Sequence, residues 1–89
     1  MITFSYGSSF DKAFKKRISS DENHERKFYE KLELFLNNPF DPQLRTHKLS
    51  GRLAGLYSFR VDYDIRVVFY FAEKNHAVFV DVGTHDEVY

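Results

Sequence analysis

Residues 57–71 read YSFRVDYDIRVVFYF. Large apolar or aromatic side chains occupy every odd position of this stretch, and most even positions are polar or charged. A period of two is typical of β-structure, and fifteen residues are too many for one ordinary strand. We therefore predict two antiparallel strands that meet in a turn at Asp62-Tyr63-Asp64, with the odd positions facing the core and the functional groups on the even face.

The unbroken alternation also predicts how the two strands pair. A three-residue loop would place Val61 opposite Ile65 and Arg60 opposite Arg66. Like charges directly opposite each other are destabilising. Either the aspartates of the turn neutralise the two arginines, or the arginine pair binds an anion, and the sequence leaves both interpretations open.

The N-terminal half of the chain predicts one strand followed by two helices. Residues 2–6 alternate as a short strand does, and the next apolar residues recur at steps of four, as on one helix face. We expect a serine of Gly7-Ser8-Ser9 to cap the first helix. Asp21 should cap the second helix, which ends near Asn37, where Asn37-Asn38-Pro39 follows. The first buried stripe is Phe10, Phe14 and Ile18, and the second is Phe28, Leu32, Phe35 and Leu36.

The remaining segments complete the predicted topology. Residues 39–53 hold both prolines and show no period, which predicts a long loop. The strand at 76–82 is nearly all apolar, so we expect it to be central, covered on both faces and paired with the first strand through 78–82. The order β-α-α-β-β-β predicts a single α+β domain over residues 1–89, in which an antiparallel helix pair covers one face of a four-stranded, mainly antiparallel sheet.

Composition narrows the possible functions. The 89 residues include no cysteine, which excludes a disulfide framework, a zinc ribbon and a thiol nucleophile. No apolar run approaches the length of a membrane span, so we expect a cytoplasmic protein with no membrane partner. The net charge is zero, but residues 44–72 carry five Lys or Arg against two Asp. An anionic ligand would be attracted to this cluster, although ordinary surface charge is the simpler interpretation of the composition alone.

The candidate catalytic groups suit RNA cleavage. The chain has no phosphate-binding glycine loop, nucleophile elbow or dinucleotide fingerprint, and its scattered histidines predict neither a metal site nor a cofactor. RNA supplies its own nucleophile, the ribose 2′-OH. Its cleavage needs a base, an acid and a cation at the phosphate, which two histidines and an arginine provide. His47 and His85 lie outside the apolar faces and are the histidines available for these roles.

Four segments carry a resemblance to a known family. They are HKLSG at 47–51, GLYSFRV at 55–61, DIRVVF at 64–69 and VGTHDEVY at 82–89. Together they resemble the RelE/ParE toxin superfamily, and the loop HxLxG and the tail GTHDxxY are most similar to its YafQ-like branch. The agreement extends to the length of the chain and the order of its elements.

The resemblance implies the toxin of a type II toxin-antitoxin system, a ribosome-dependent, metal-independent endoribonuclease that cleaves mRNA and is blocked by a cognate antitoxin. It implies no small-molecule cofactor. Arg60 and Ile65 depart from the branch, which has a histidine and a tryptophan there. The residues matching its catalytic positions are His47, Asp64, Arg66, His85 and Tyr89, and the expected RNA or phosphate contacts are Arg45, Lys48, Arg52 and Arg60.

Two alternatives remain open within the same superfamily. A ParE-like protein would inhibit DNA gyrase and would need no acid–base pair, and a catalytically inactive protein of the same fold would act by binding alone. In each case we expect an acidic or amphipathic antitoxin segment, because the basic stretch 44–72 attracts one. That segment should cover Arg66 and the loop around His47, or displace the tail that carries His85 and Tyr89.

Overall fold

The computed structural model describes residues 1–89. The elements are β1 (Thr3–Tyr6), α1 (Ser8–Arg17), α2 (Glu22–Asn37), β2 (His47–Lys48), β3 (Tyr57–Asp62), β4 (Ile65–Glu73), β5 (His76–Thr84) and α3 (His85–Val88). The strands form one five-stranded sheet in the order β1-β5-β4-β3-β2. Two short 3-10 turns, Pro42–Leu44 and Gly51–Leu53, flank β2.

The sheet confirms the predicted α+β class and corrects the number of strands. All neighbouring strands are antiparallel except β1 and β5, which are parallel. The first strand lies beside the last, as predicted, but its register runs from Thr3 opposite His76 to Tyr6 opposite Phe79. The fifth strand is β2, which lies within the segment predicted as a loop. Two residues are too few to show a period, so the sequence could not reveal it.

The β3–β4 hairpin differs from the predicted one by a bulge. Arg60 lies opposite Arg66, as predicted, but Ile65 lies opposite Asp62 and not opposite Val61. The register shifts between Arg60 and Asp62, and the turn consists of residues 63–64. The extra residue is accommodated in β3, where such a bulge bends the strand, and Val61 stays fully buried.

The core lies between the helices and the odd face of the β3–β4 hairpin. α1 packs over β5, and α2 packs over β3. The ring of Phe35 from α2 stacks on Phe59 with 4.7 Å between centroids. Phe59, Val61, Val67 and Phe69 are all fully buried, which confirms the predicted packing. On the opposite face of the sheet Ser58 and Val68 are buried as well.

Two local predictions are wrong. β5 is central, as predicted, but it is not covered on both faces along its whole length, because Val78 is half-buried between the buried residues Ala77 and Phe79. The N-cap of α1 is Gly7, with no side-chain capping bond, since the helix already includes Ser8. Asp21 does cap α2, accepting hydrogen bonds from two main-chain N–H groups.

None of the helices has the length and apolar character needed to cross a membrane.

Candidate active site

The segment after the last strand, predicted only as a tail, contains the helix α3 (His85–Val88), with Thr84 as its N-cap and Tyr89 as its C-cap. Thr84 and Glu87 form a capping box: the Thr84 N–H donates to Glu87 Oε1 at 2.7 Å, and the Glu87 N–H donates to Thr84 Oγ1 at 3.3 Å. The Thr84 N–H bond, helped by the nearby charge of Arg17, holds the pKa of Glu87 below its ordinary range. This cap fixes the direction in which the tail leaves β5.

His85 and Tyr89 meet on this short helix. Their ring centroids are 4.6 Å apart, and the rings are perpendicular. The Tyr89 hydroxyl donates a hydrogen bond of 2.6 Å to Ser58 Oγ, and Ser58 in β3 is fully buried. A main-chain oxygen of Tyr89 also accepts a 2.8 Å bond from Arg52 Nη2. The tail is thus attached to the sheet and to the loop that follows β2.

His47 reaches the same place from β2. It lies directly opposite Ser58 in the antiparallel pair, so both side chains project from the same face of the sheet. Its Nδ1 is 3.0 Å from the main-chain oxygen of Arg45. Because a carbonyl only accepts hydrogen bonds, Nδ1 carries the hydrogen and Nε2 of the neutral ring is left as an acceptor. The fold therefore connects His47, Ser58, Tyr89 and His85 as successive neighbours.

Arg66 lies in the middle of the same sheet face, between Arg60 on β3 and Gly83 on β5. Its Nη1 donates to the main-chain oxygens of Asp62 at 3.2 Å and Tyr63 at 3.1 Å. Arg60 Nε donates to that same Asp62 oxygen at 3.3 Å. The arginine pair is therefore held by carbonyl groups of the turn. The interpretation in which the turn carboxylates neutralise it is wrong.

The two aspartates of the turn have different environments. The carboxylate of Asp62 pairs with Lys27 Nζ at 3.1 Å, and the Tyr63 N–H together with this ammonium holds the pKa of Asp62 below its ordinary range. Asp64 is exposed at the tip of the hairpin, and no hydrogen bond or ion pair involves its side chain. The fold does not bring Asp64 into contact with either His47 or His85.

The predicted RNA-contacting cations have three different environments. Arg45 and Arg60 line one cleft of about 370 Å³ together with Lys31 from α2, and the Arg60 guanidinium lies 5.4 Å from the centre of the Tyr63 ring. Lys48 is exposed on β2. Arg52 differs, because its guanidinium holds the main-chain oxygen of Tyr89.

Several residues that support the site were not predicted. The sequence TxxE at 84–87 is a recognisable capping-box signature and could have revealed α3 and Glu87. Ser58 gave no signal, because a serine at an even position of an amphipathic strand looks like any solvent-facing residue. No sequence pattern indicated the role of Arg17, which contacts Glu87 from α1, because Arg17 and Glu87 are distant in sequence.

Comparison with protein families matches residues 2–89 to YafQ, the bacterial toxin of a type II toxin-antitoxin system. The chain belongs to the YafQ toxin family. The predicted YafQ-like branch is thereby confirmed. A search among curated proteins found no match.

Solved structures share the whole fold of this YafQ-family toxin. YafQ from E. coli strain BL21(DE3) is 19% identical with a TM-score of 0.78, and the match covers 100% of this chain and 99% of that one. The YoeB/ParE toxin from Agrobacterium tumefaciens is 16% identical with a TM-score of 0.78, over 94% and 99% of the chains. The heterotetrameric YoeB-YefM toxin-antitoxin complex from Staphylococcus aureus gives 21% identity and a TM-score of 0.74, over 96% and 98%.

Proposed function

We propose that this toxin is an endoribonuclease that cleaves mRNA on the ribosome, using the RNA's own 2′-OH as the nucleophile. The observation that carries the proposal is that His47, Ser58, Tyr89 and His85 are successive neighbours on the sheet face that also carries Arg66. Two histidines and a cation on one face match the needs of general acid–base cleavage of a phosphodiester.

The hydrogen bonds favour different proton-transfer roles for the two histidines. His47 acts as the base, since its Nδ1 hydrogen is held by the Arg45 carbonyl and its Nε2 is free to accept the 2′-OH proton. His85 acts as the acid and protonates the leaving 5′-oxygen. Its Nδ1 lies 3.5 Å from the Asp86 carboxylate, which is placed to accept a hydrogen bond from that nitrogen. Tyr89, held edge-on to His85, orients the substrate.

Arg66 stabilises the negative charge that develops on the phosphate. The turn carbonyls hold its Nη1, and its other nitrogens remain available to a phosphate oxygen. A planar guanidinium offers a two-pronged contact that an ammonium lacks. Asp64 supplies the acidic group of the site from the tip of the hairpin, where its unpaired carboxylate accepts hydrogen bonds from the incoming RNA.

The RNA backbone binds the exposed cations around the site. Arg45, Lys48 and Arg60 contact phosphates of mRNA or ribosomal RNA, and such contacts give an affinity that falls as salt rises. Arg52 adds charge at the point where it anchors Tyr89. The side chains and the 2′-OH supply every part of the reaction, so we propose that it needs neither a metal nor a cofactor and takes place in the cytoplasm.

The partner that blocks the enzyme is a cognate antitoxin. The proposal rests on membership of a toxin-antitoxin family and on the shared fold of YoeB in its complex with YefM. An acidic or amphipathic segment of the antitoxin would lie across Arg66 and the basic loop around His47, or would displace α3, and either arrangement would close the site.

Purified toxin added to translating ribosomes tests the proposal against its alternatives. We expect cuts within the reading frame, unaffected by EDTA, with 2′,3′-cyclic phosphate or 3′-phosphate ends. An mRNA with a single 2′-deoxy sugar at a mapped cut site should bind and stay whole there. Arrest of gyrase supercoiling without RNA cleavage would instead support the ParE-like alternative. Translational arrest with intact mRNA would support a catalytically inactive binding protein.

A further inference from the structure

Arg17, in the last turn of α1, lies beside the part of the β5 edge that has no neighbouring strand. β1 ends at Tyr6, which pairs with Phe79, so the rest of β5 has no neighbouring strand on that side. Arg17 lies in this gap with its side chain only 26% exposed. Its Nη1 donates to Asp81 Oδ1 at 3.2 Å and to the main-chain oxygen of Val82 at 3.0 Å.

The same guanidinium also holds α3. Arg17 Nε lies 3.5 Å from Glu87 Oε2, and the other oxygen of Glu87 accepts the Thr84 N–H that begins the helix. One carboxylate therefore joins the cap of α3 to a cation from α1. No other side chain of α1 or α2 makes an ion pair with α3.

Gly83 makes room for this contact. A Cβ built at Gly83 would lie 2.7 Å from Glu87 Oε1 and 3.0 Å from Arg17 Nη1, too close to both. Gly83 has no positive φ, so a larger residue here is opposed by the ends of the Glu87 and Arg17 side chains and not by the backbone conformation. The position lies directly opposite Arg66, which brings the Arg17–Glu87 contact next to the proposed phosphate site.

We propose that Arg17 is a positioning residue, which sets the place of His85 and Tyr89 by clamping Glu87 of α3 to the free edge of β5. This inference rests on the proposed function, because it assumes that His85 and Tyr89 take part in the reaction. Tyr89 is held from its other side by Ser58 and Arg52, so Arg17 controls the start of α3 and those residues control its end. Misplacing a reacting group by about 1 Å can lower a rate about a hundredfold.

The test compares Arg17→Ala with Lys15→Ala, its matched control. Lys15 lies in the same helical turn and carries the same charge, but it pairs only with Asp11 at the exposed surface. In NMR spectra, cross-peaks between the His85 and Tyr89 rings should weaken in Arg17→Ala and persist in Lys15→Ala. The maximal cleavage rate on ribosomes should fall about tenfold to a hundredfold, with half-saturation little changed. Arg17→Lys should restore part of the rate, since an ammonium keeps the charge but loses the forked contacts.

Two further variants test the contact without removing Arg17. Glu87→Gln keeps a capping residue, because glutamine also serves in the capping box, but loses the charge that attracts Arg17. Gly83→Ala introduces the clashing Cβ. Both should reproduce the loss of the His85–Tyr89 cross-peaks and of the rate, while the amide spectrum stays well dispersed.

The outcomes separate the clamp from the proposed function. Unchanged ring cross-peaks in both Arg17→Ala and Gly83→Ala would overturn the clamp, whatever happens to cleavage. Lost cross-peaks with an unchanged cleavage rate would overturn the positioning role. If the wild-type protein cleaves no RNA, the proposed function fails, and the NMR comparison still decides for or against the clamp.

Discussion

Ser58 contributes through a single hydrogen bond between the sheet and the tail. It is fully buried and accepts a hydrogen bond of 2.6 Å from the Tyr89 hydroxyl. Because a buried hydrogen bond contributes about 1 kcal/mol net, we expect Ser58→Ala and Tyr89→Phe each to lower the free energy of unfolding by roughly that amount. In the double variant the two losses should not add. Urea denaturation of all four proteins measures this coupling.

The control for that measurement is Ser50→Ala. Ser50 is exposed and makes no side-chain capping bond, so its replacement should leave the unfolding midpoint unchanged. If the losses from Ser58→Ala and Tyr89→Phe add fully in the double variant, the hydroxyl pair does not connect the tail to β3.

For single residues, the sequence predicted which side chains belong to the candidate site but not which contacts they make. His47 and His85 were singled out by residue type and position, and the resemblance assigned catalytic roles to them and to Tyr89; those roles remain predictions. The bond from Arg52 to Tyr89 was not foreseen, because a basic residue in a polar loop is read as solvent-exposed. Such contacts depend on the path of the tail, which local patterns do not encode.

The helix α3 should respond to pH through Glu87. Its pKa is lowered in the folded protein by the Thr84 N–H and Arg17. The stability gained from its charge is therefore complete above the unfolded pKa of about 4.3 and is lost as the pH falls through the lower folded value. We expect the Thr84 amide resonance and the His85–Tyr89 ring contact to change as the pH drops below about 4.

Glu87→Gln distinguishes this titration from general acid unfolding. In that variant the Thr84 amide should already lie near its acid position at neutral pH and should change little on acidification. An identical acid transition in Glu87→Gln and the wild type would show that another group controls the docking of α3.

The contact between α2 and the β3–β4 hairpin should dominate stability. Phe59 is fully buried and stacks on Phe35 at 4.7 Å, so Phe59→Ala should cost about 3–5 kcal/mol. Phe59→Leu should cost less, because it leaves a smaller cavity, and it keeps the measurement possible if the alanine variant is unfolded. Tyr63→Ala, at a residue 81% exposed, should change the free energy of unfolding by less than about 0.5 kcal/mol. Similar losses of unfolding free energy in Phe59→Ala and Tyr63→Ala would contradict this packing.

The predictability of the elements follows their length. The period of two in 57–71 and the apolar stripes of α1 and α2 extend over enough residues to be unambiguous, and those elements were predicted. β2 and α3 were not, because two and four residues carry no period. The bulge at Val61 was missed because it preserves burial on the odd face while it shifts the pairing.

For the molecule as a whole, the uneven charge distribution should govern capture by the antitoxin. The unpaired cations of the 44–72 stretch surround the proposed site, and charge complementarity mainly raises the association rate. We expect a toxin with Arg45, Arg60 and Arg66 all replaced by Ala to bind its antitoxin more slowly and with weaker salt dependence. Stopped-flow association at several salt concentrations measures both effects.

A control for capture replaces cations outside that stretch, such as Lys12, Lys15 and Lys16 on α1. Equal slowing by both triple variants would point to net charge alone. Association unaffected by loss of the three arginines would contradict an electrostatic clamp and favour an apolar contact.

The proposed mechanism depends most on proton transfer by His47 and His85. Both are exposed, so replacing them with Ala should leave the fold intact, as circular dichroism and urea unfolding would verify. On programmed ribosomes, each single variant should lose about 10²–10⁴ of the cleavage rate, and the double variant should leave the mRNA whole. A folded double variant that still cuts the mRNA at the wild-type sites and rate would contradict the account.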